Sequence, residues 1–453
     1  MEIIISMKID FKNGSTTKNL ILLSIPVVIE QLLITLTQYV DTAMVGKLGE
    51  NATASVSLTT TITWLINSIS FAASIAVMTL IASSIGSQDR KKTVILSKQA
   101  LILTFIFGFA VGAISLGASP FIPIWMGAAE DIRHDASIYF AITSIPMLFR
   151  SATIILGDAI RATGDTKSTM YVVISQNIFN VGLNYLFIYV LGLGVLGAAI
   201  ATAISHTFSG VAIFVIYRKK ACLYYPIKEL RFDRVTMRMC WRLIYPVLLT
   251  HIATRMAHVV FSGLVTGMGT TIFASHSIAI TAEGLFYVGG FGIQIAVQTM
   301  VGMAIGERNY KKFEEIVRSG SLMVLIFMTV TGAIMYLISD PLASFFTISD
   351  EVAKLSAQML RLIAFTEPLF GVMIIMQGIY YGLGQNRYPM IVEITSMWGV
   401  RVLFTYLVVH VWHLGLREVW FCMMADIIFK MLFFTLPMLF KRSRQSFFNR
   451  SFI

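Results

Sequence analysis

Twelve long apolar runs limit this chain to one kind of architecture. They span roughly residues 20–46, 55–84, 95–118, 136–159, 168–190, 194–217, 240–265, 273–304, 318–338, 357–381, 390–411 and 418–440. Each approaches or exceeds the ~20 residues that a helix needs to cross the hydrocarbon core. Lipid offers no partner to a backbone N–H or C=O, so only helices and closed barrels span it. Barrel strands would alternate polar and apolar residues; these runs are continuous. The chain is 56% hydrophobic and only 13% charged, with a mean hydropathy of +0.77, whereas soluble domains carry about 25% charged residues. The expected fold class is therefore an all-α membrane protein.

The chain also repeats itself. Residues 26–92 align without a gap on residues 246–312, with 19 of 67 positions identical. The shared residues include Gly49 with Gly269, Phe71 with Phe291, Ile75-Ala76-Val77 with Ile295-Ala296-Val297, and Lys91-Lys92 with Lys311-Lys312. The same offset of 220 pairs Gly164 with Gly384 and Met170 with Met390. A duplicated membrane domain points to a transporter, with substrate and ions held near mid-membrane. Six helices per half is an even number, so the halves should run the same way, related by a pseudo-two-fold axis along the membrane normal. The expected organisation is an N-terminal six-helix lobe over 1–217, a basic cytoplasmic linker over 218–242, and a C-terminal lobe with a short tail over 243–453.

Charge sets the expected orientation. Of the 30 Lys and Arg residues that can be assigned to loops, tails and helix ends, 26 fall on one side, among them Lys8, Lys12, Arg90, Arg218, Arg308 and Arg442. The other side holds Lys47, Arg133, Lys354 and Arg417. Both termini are expected in the cytoplasm. This asymmetry accounts for the net charge of +11 without nucleic acid. Cys222, Cys240 and Cys422 form no CxxC pair, which argues against a disulfide framework or a structural metal site. Met1–Ser6 is too short an apolar run for a cleavable signal, so the first spanning helix is expected to serve as the targeting signal. No G-x-x-x-x-G-K-[ST] loop and no H-E-x-x-H motif occurs, so neither direct ATP drive through that loop nor zincin chemistry is expected. An enzyme is not expected.

Four stretches resemble the multidrug and toxic compound extrusion (MATE) family. They are SIPVVIEQLLITLTQYVDTAMVGKLG from Ser24, IRATGDTKSTM from Ile160, NVGLNYLFIYVLGLGVLGAAIATAIS from Asn180, and FASHSIAI from Phe273. The resemblance covers nearly the whole chain. It implies two six-helix lobes with alternating access and export of organic cations or other amphipathic small molecules. It also implies inward Na⁺ or H⁺ as the driving ion, with no other cofactor. A monomer in the lipid bilayer is expected. The alternative is a flippase for lipid-linked oligosaccharide or lipid from a related superfamily, for which Arg150 and Arg255 would supply cationic contacts.

Among candidate residues Asp41 stands first. A carboxylate deep in a spanning helix is expensive and usually functional. An Asp capped by water or a neighbour near the outer helix end is the alternative. Its counterpart in the repeat is Phe261. Asn177, Asn180 and Asn184 line one face of the fifth helix; amide oxygens suit Na⁺, though interhelical hydrogen bonding also explains them. The resemblance places Asn180, Asn184 and Thr202 with Asp41 in one cation-coupling site. Some members have a second carboxylate where this chain has Asn184, which leaves the ion open.

Glu30, eleven residues before Asp41 and on the same face, reads either as a station on a proton or substrate path or as the partner of an Arg on another helix. Tyr39, Phe71 and Phe291 are candidate cavity walls. His251, Arg255 and His258 share a face of the seventh helix and either sense pH or neutralise Glu283. The carboxylates that other members carry on helices seven and ten are not matched here, so a C-terminal cation site of that kind is not expected. Asp426 with Lys430, and Asp158 with Arg161, have helical spacing for local pairing. Arg150, Arg401 and Glu393 have no partner visible in the sequence.

Overall fold

The computed structural model describes residues 14–451. Lys8, Lys12 and the Met1–Ser6 run fall outside the described residues. The described chain is all-helical. We number the twelve spans α1 Thr16–Gly46, α2 Glu50–Gly86, α3 Arg90–Ala118, α4 Glu130–Ser144 with Met147–Arg161, α5 Thr166–Asn184 with its continuation Tyr185–Val190, and α6 Gly194–Lys219. The second half repeats them as α7 Arg234–Thr266, α8 Thr270–Gly306, α9 Tyr310–Leu337, α10 Asp350–Ala364 with Glu367–Gly382, α11 Arg387–Val411 and α12 Leu416–Leu439. Each coincides with one of the twelve apolar runs. Among the described residues nine are helices long and apolar enough to cross a membrane, and α4 and α10 pass the same measure as pairs bent by 50° and 56°. The remaining span, α5, falls short of that hydropathy because Gln176, Asn177, Asn180 and Asn184 lie within it.

Local structure reproduces the duplication. Gly49 and Gly269 precede α2 and α8 at φ of 114° and 118°, a region closed to residues with a Cβ. Asp89 and Asn309 cap α3 and α9, accepting from Lys92 N at 3.0 Å and Lys312 N at 3.1 Å. The residues before them, Gln88 and Arg308, share a left-handed φ of 57° and 53°. Both bends fall at equivalent places: Pro146 sits between the pieces of α4, and Pro368 opens the second piece of α10. Proline cannot donate the bond that would continue the helix.

The chain folds into two compact units. One contains the described residues up to Val28 and those from Leu249 on; the other is Ile29–Leu248. These limits differ from the lobe boundaries expected at 217 and 243, because the N-terminal halves of α1 and α7 are exchanged between units. The two crossover points are 220 residues apart, matching the repeat, and each follows a proline, Pro26 or Pro246, by two residues. Leu20 and Leu23 of α1 are buried in a cluster with Ile293, Val297 and Met300 of α8. Gly292 permits this approach: a Cβ there would lie 2.7 Å from Val28 N.

The basic segment expected as a linker is packed onto the second unit. Ser97 donates to Leu223 O at 2.8 Å, Gln99 to Arg231 O at 2.9 Å, and Lys98 pairs with Glu229 at 3.2 Å. Lys220 pairs with Asp165, whose carboxylate also caps α5 through Ser168 N at 3.0 Å. Burial would raise the Asp165 pKa, but the hydrogen bonds from Lys220 and Ser168 outweigh it and hold the carboxyl below its ordinary 3.8.

Candidate functional site

The amide face of α5 meets α1 at Asp41. Asn184 Nδ2 donates to Asp41 Oδ1 at 2.7 Å. The Asn180 amide, oriented with its nitrogen toward the carboxylate, donates at 2.9 Å to Oδ1 and 3.1 Å to Oδ2. Asp41 is half-buried, while Asn180 and Asn184 are buried. Asn184 Oδ1 is left as a buried acceptor with no hydrogen-bond partner. A carboxylate beside a free amide oxygen is a hard-oxygen donor set, the kind small hard cations prefer. It is equally a place where a proton can be held. Asn177 lies on the same face, and its Nδ2 is likewise unpartnered.

The backbone supports this arrangement. Immediately after Asn184 the helix widens into a π-turn, Tyr185–Val190, a deviation common beside functional groups. Tyr189 Oη donates to Met44 O at 2.8 Å and ties this turn to the end of α1. Gly197 lets α6 lie against it, since a Cβ there would meet Phe187 O at 2.8 Å. Thr202 of α6 pairs with the hydroxyl of Tyr139 on α4, and Tyr139 lies within electrostatic range of Asp41 and Arg150. His206, one turn beyond Thr202, pairs with Gln176 at 3.2 Å and feels Arg150. Four sequence-derived residues (Asp41, Asn180, Asn184, Thr202) thus join one neighbourhood. Tyr139, Gln176 and His206 complete it. His206 could have been found from its i,i+4 spacing to Thr202; Tyr139 carried no signal among 16 tyrosines.

The C-terminal half does not repeat this chemistry. At the offset of 220, Asp41, Tyr139 and Thr202 correspond to Phe261, Met359 and Cys422, all buried in one apolar cluster. Asn180 and Asn184 correspond to Val400 and Phe404. The polar groups of this unit form a charge-balanced network instead. Asp426 pairs with Arg401 at 2.7 Å and Lys430 at 3.2 Å, and accepts from Ser396 Oγ at 2.6 Å. Lys430 also pairs with Glu393 at 3.0 Å, and Gln377 links Glu393 to Gln294. Arg401 and Glu393 thereby gain partners that their own helix could not reveal.

Glu30 meets an arginine from another helix. Arg161 pairs with Glu30 and, at 2.5 Å, with Asp158, all three nearly excluded from solvent. This matches the structural alternative read from the sequence. The expected Arg255–Glu283 neutralisation takes another form: Arg401 acts on Glu283, while Arg255 acts on Tyr287, and His258 feels both arginines. Tyr39 is half-buried on α1. Phe291 packs against Tyr287 and Phe370, with ring centroids 6.0 and 6.3 Å away, and Phe71 is 38% exposed.

Fold and site together define a duplicated, polytopic helical transporter. The MatE family profile matches residues 26–186 and again 246–407. The chain belongs to this family. A similar relative is the probable multidrug resistance protein NorM of Thermotoga maritima, 27% identical over 431 residues and covering 92% of each chain. A probable multidrug resistance protein of Bacillus subtilis, YoeA, is 23% identical, covering 90% of each. Among solved structures, the outward-facing conformation of a multidrug resistance MATE family transporter of the MOP superfamily superposes with a TM-score of 0.90. It is 23% identical, with 98% of each chain covered.

Proposed function

We propose that this chain is a secondary antiporter that exports organic cations or other amphipathic small molecules in exchange for inward Na⁺ or H⁺. It acts as a monomer in the cell membrane, with both termini in the cytoplasm. The observation that carries the proposal is the Asp41 carboxylate set beside the unpaired Asn184 oxygen. Relatives named as multidrug resistance proteins support the substrate class.

In this reading Asp41 exchanges its coupling ion against its hydrogen bonds. With Na⁺ or a proton bound, its charge is neutralised, and the Asn180 and Asn184 amides can turn their oxygens inward. With the ion released, the amide nitrogens would compensate the bare carboxylate through the contacts from Asn184 and Asn180. The driving force enters through the N-terminal half alone, because its C-terminal counterpart is apolar. The Arg401–Asp426–Lys430–Glu393 network brings two fixed cations to two carboxylates and needs no exchangeable ion. Glu30, locked to Arg161, acts as a structural anion. Tyr39, Asn177, Arg255 and Glu283 are assigned to the substrate or proton path.

Cationic-dye efflux from efflux-deficient cells tests this. The parent should lower dye retention and Asp41→Asn should not. Equal efflux by both would remove Asp41 from the mechanism.

A further inference from the structure

Beyond α12 lies a nine-residue helix, Lys441–Asn449, that leaves it at Phe440, where ψ swings to 117°. The helix is docked. Phe448 is buried against Tyr310 and Phe313, with centroids 5.4 and 5.3 Å away. Phe447 packs on Tyr380 at 5.4 Å and Tyr388 at 5.9 Å. Gln385 Nε2 donates to Phe447 O at 2.8 Å. Arg444 pairs with Glu314 and donates to Tyr310 Oη at 3.1 Å. The docking uses the aromatic face and a single arginine.

The other face borders an open groove of about 610 Å³. Arg442, Ser443, Ser446 and Arg450 line it, at i, i+1, i+4 and i+8 of one helical face. Gln385, Phe440 and Phe447 supply the remainder. The segment from Lys441 to the end of the chain has no acidic residue. Among the described residues no carboxylate pairs with Arg442 or Arg450, whereas Arg444 on the same helix is paired. Phe440, which lines the groove, and its chain neighbour Leu439 are 66% and 67% exposed, and Phe433 and Leu436 add exposed apolar side chains along α12.

Topological bias accounts for basic residues anywhere in such a tail. It does not account for two unpaired arginines and two hydroxyl side chains lining one groove of a docked helix. Two forked guanidiniums and two O–H donors suit the oxygens of a phosphate group. The adjoining Phe440–Leu439 surface suits acyl chains. We propose that this pocket binds the phosphate-bearing headgroup of an anionic membrane lipid, with its chains laid along the outer face of α12. Basic pockets beside spanning helices commonly hold such headgroups.

The test uses the full-length protein in nanodiscs of phosphatidylcholine, with and without a minority of phosphatidylglycerol. The melting temperature should rise with phosphatidylglycerol content. Arg442→Gln with Arg450→Gln should lose most of that rise, with about tenfold weaker apparent lipid affinity. Lys91→Gln with Lys311→Gln removes equal charge from exposed sites elsewhere and should keep it. An unchanged rise in the arginine variant would overturn the proposal. So would equal loss in both variants, or an equal rise from inorganic phosphate in phosphatidylcholine alone.

Discussion

Replacing Arg161 tests what the buried triad contributes. Arg161 compensates two carboxylates at once: the side chains of Glu30 and Asp158 are only 3% and 11% exposed. Arg161→Gln leaves both acids buried without a cation. Breaking a buried ion pair from one side costs roughly 3–5 kcal/mol. Glu30→Gln should cost less, about 1–3 kcal/mol, because Arg161 keeps Asp158 at 2.5 Å. The double variant should be less damaging than the two losses added, with a coupling of about 1 kcal/mol or more. Thermal unfolding in detergent can be followed with a thiol-reactive dye in a Cys222→Ser background, since Cys222 is exposed while Cys240 and Cys422 are buried in the folded state. Efflux per folded molecule should survive Glu30→Gln. The reasoning fails if Arg161→Gln melts with the parent. It also fails if Glu30→Gln folds normally and abolishes efflux, which would make Glu30 a station on the transport path.

Further outcomes follow from other sites. Gly210→Ala forces a methyl to within 2.5 Å of Phe149 Cβ and O, so α6 must move from α4; a loss of about 1–3 kcal/mol in the same melt is expected. Asp426→Asn removes one of the two anions facing Arg401 and Lys430 and should destabilise by roughly 3–5 kcal/mol, measured against a conservative Ser396→Ala control. Asp165 has a pKa depressed below 3.8, so the stability it contributes is present above that value and is lost as pH falls through its lower folded value. Asp165→Asn should therefore lower the melting temperature at neutral pH and flatten its fall in acid. An unchanged acid limb would refute the Lys220–Asp165 staple.

The twelve spans were legible because lipid demands long helices, and each apolar run in the sequence became helical, α5 less apolar than the rest. The duplication was legible down to Gly49 and Gly269, whose matched left-handed backbones require it. The exchange of half-helices at Val28 and Leu248 was not, because chain order does not report which bundle a half-helix packs against. The α5 amides and Asp41 were visible as polar groups too costly to bury without purpose. Pairings across helices were invisible for a different reason. Arg161 with Glu30 lies 131 positions apart, and Arg401 with Asp426 joins separate spans, so no periodicity connects them. The IRATGDTKSTM stretch illustrates both sides: it was distinctive as a string, yet its Arg161 and Asp165 proved to be staples holding α1 and the basic segment in place.

The most direct measurement is dye transport by purified protein in liposomes, under separately imposed Na⁺ and pH gradients, for the parent and Asp41→Asn. One of the two gradients should drive accumulation in the parent, and neither should do so in the variant. Gradient-driven transport that persists in Asp41→Asn would contradict a coupling ion held at the Asp41–Asn184 site.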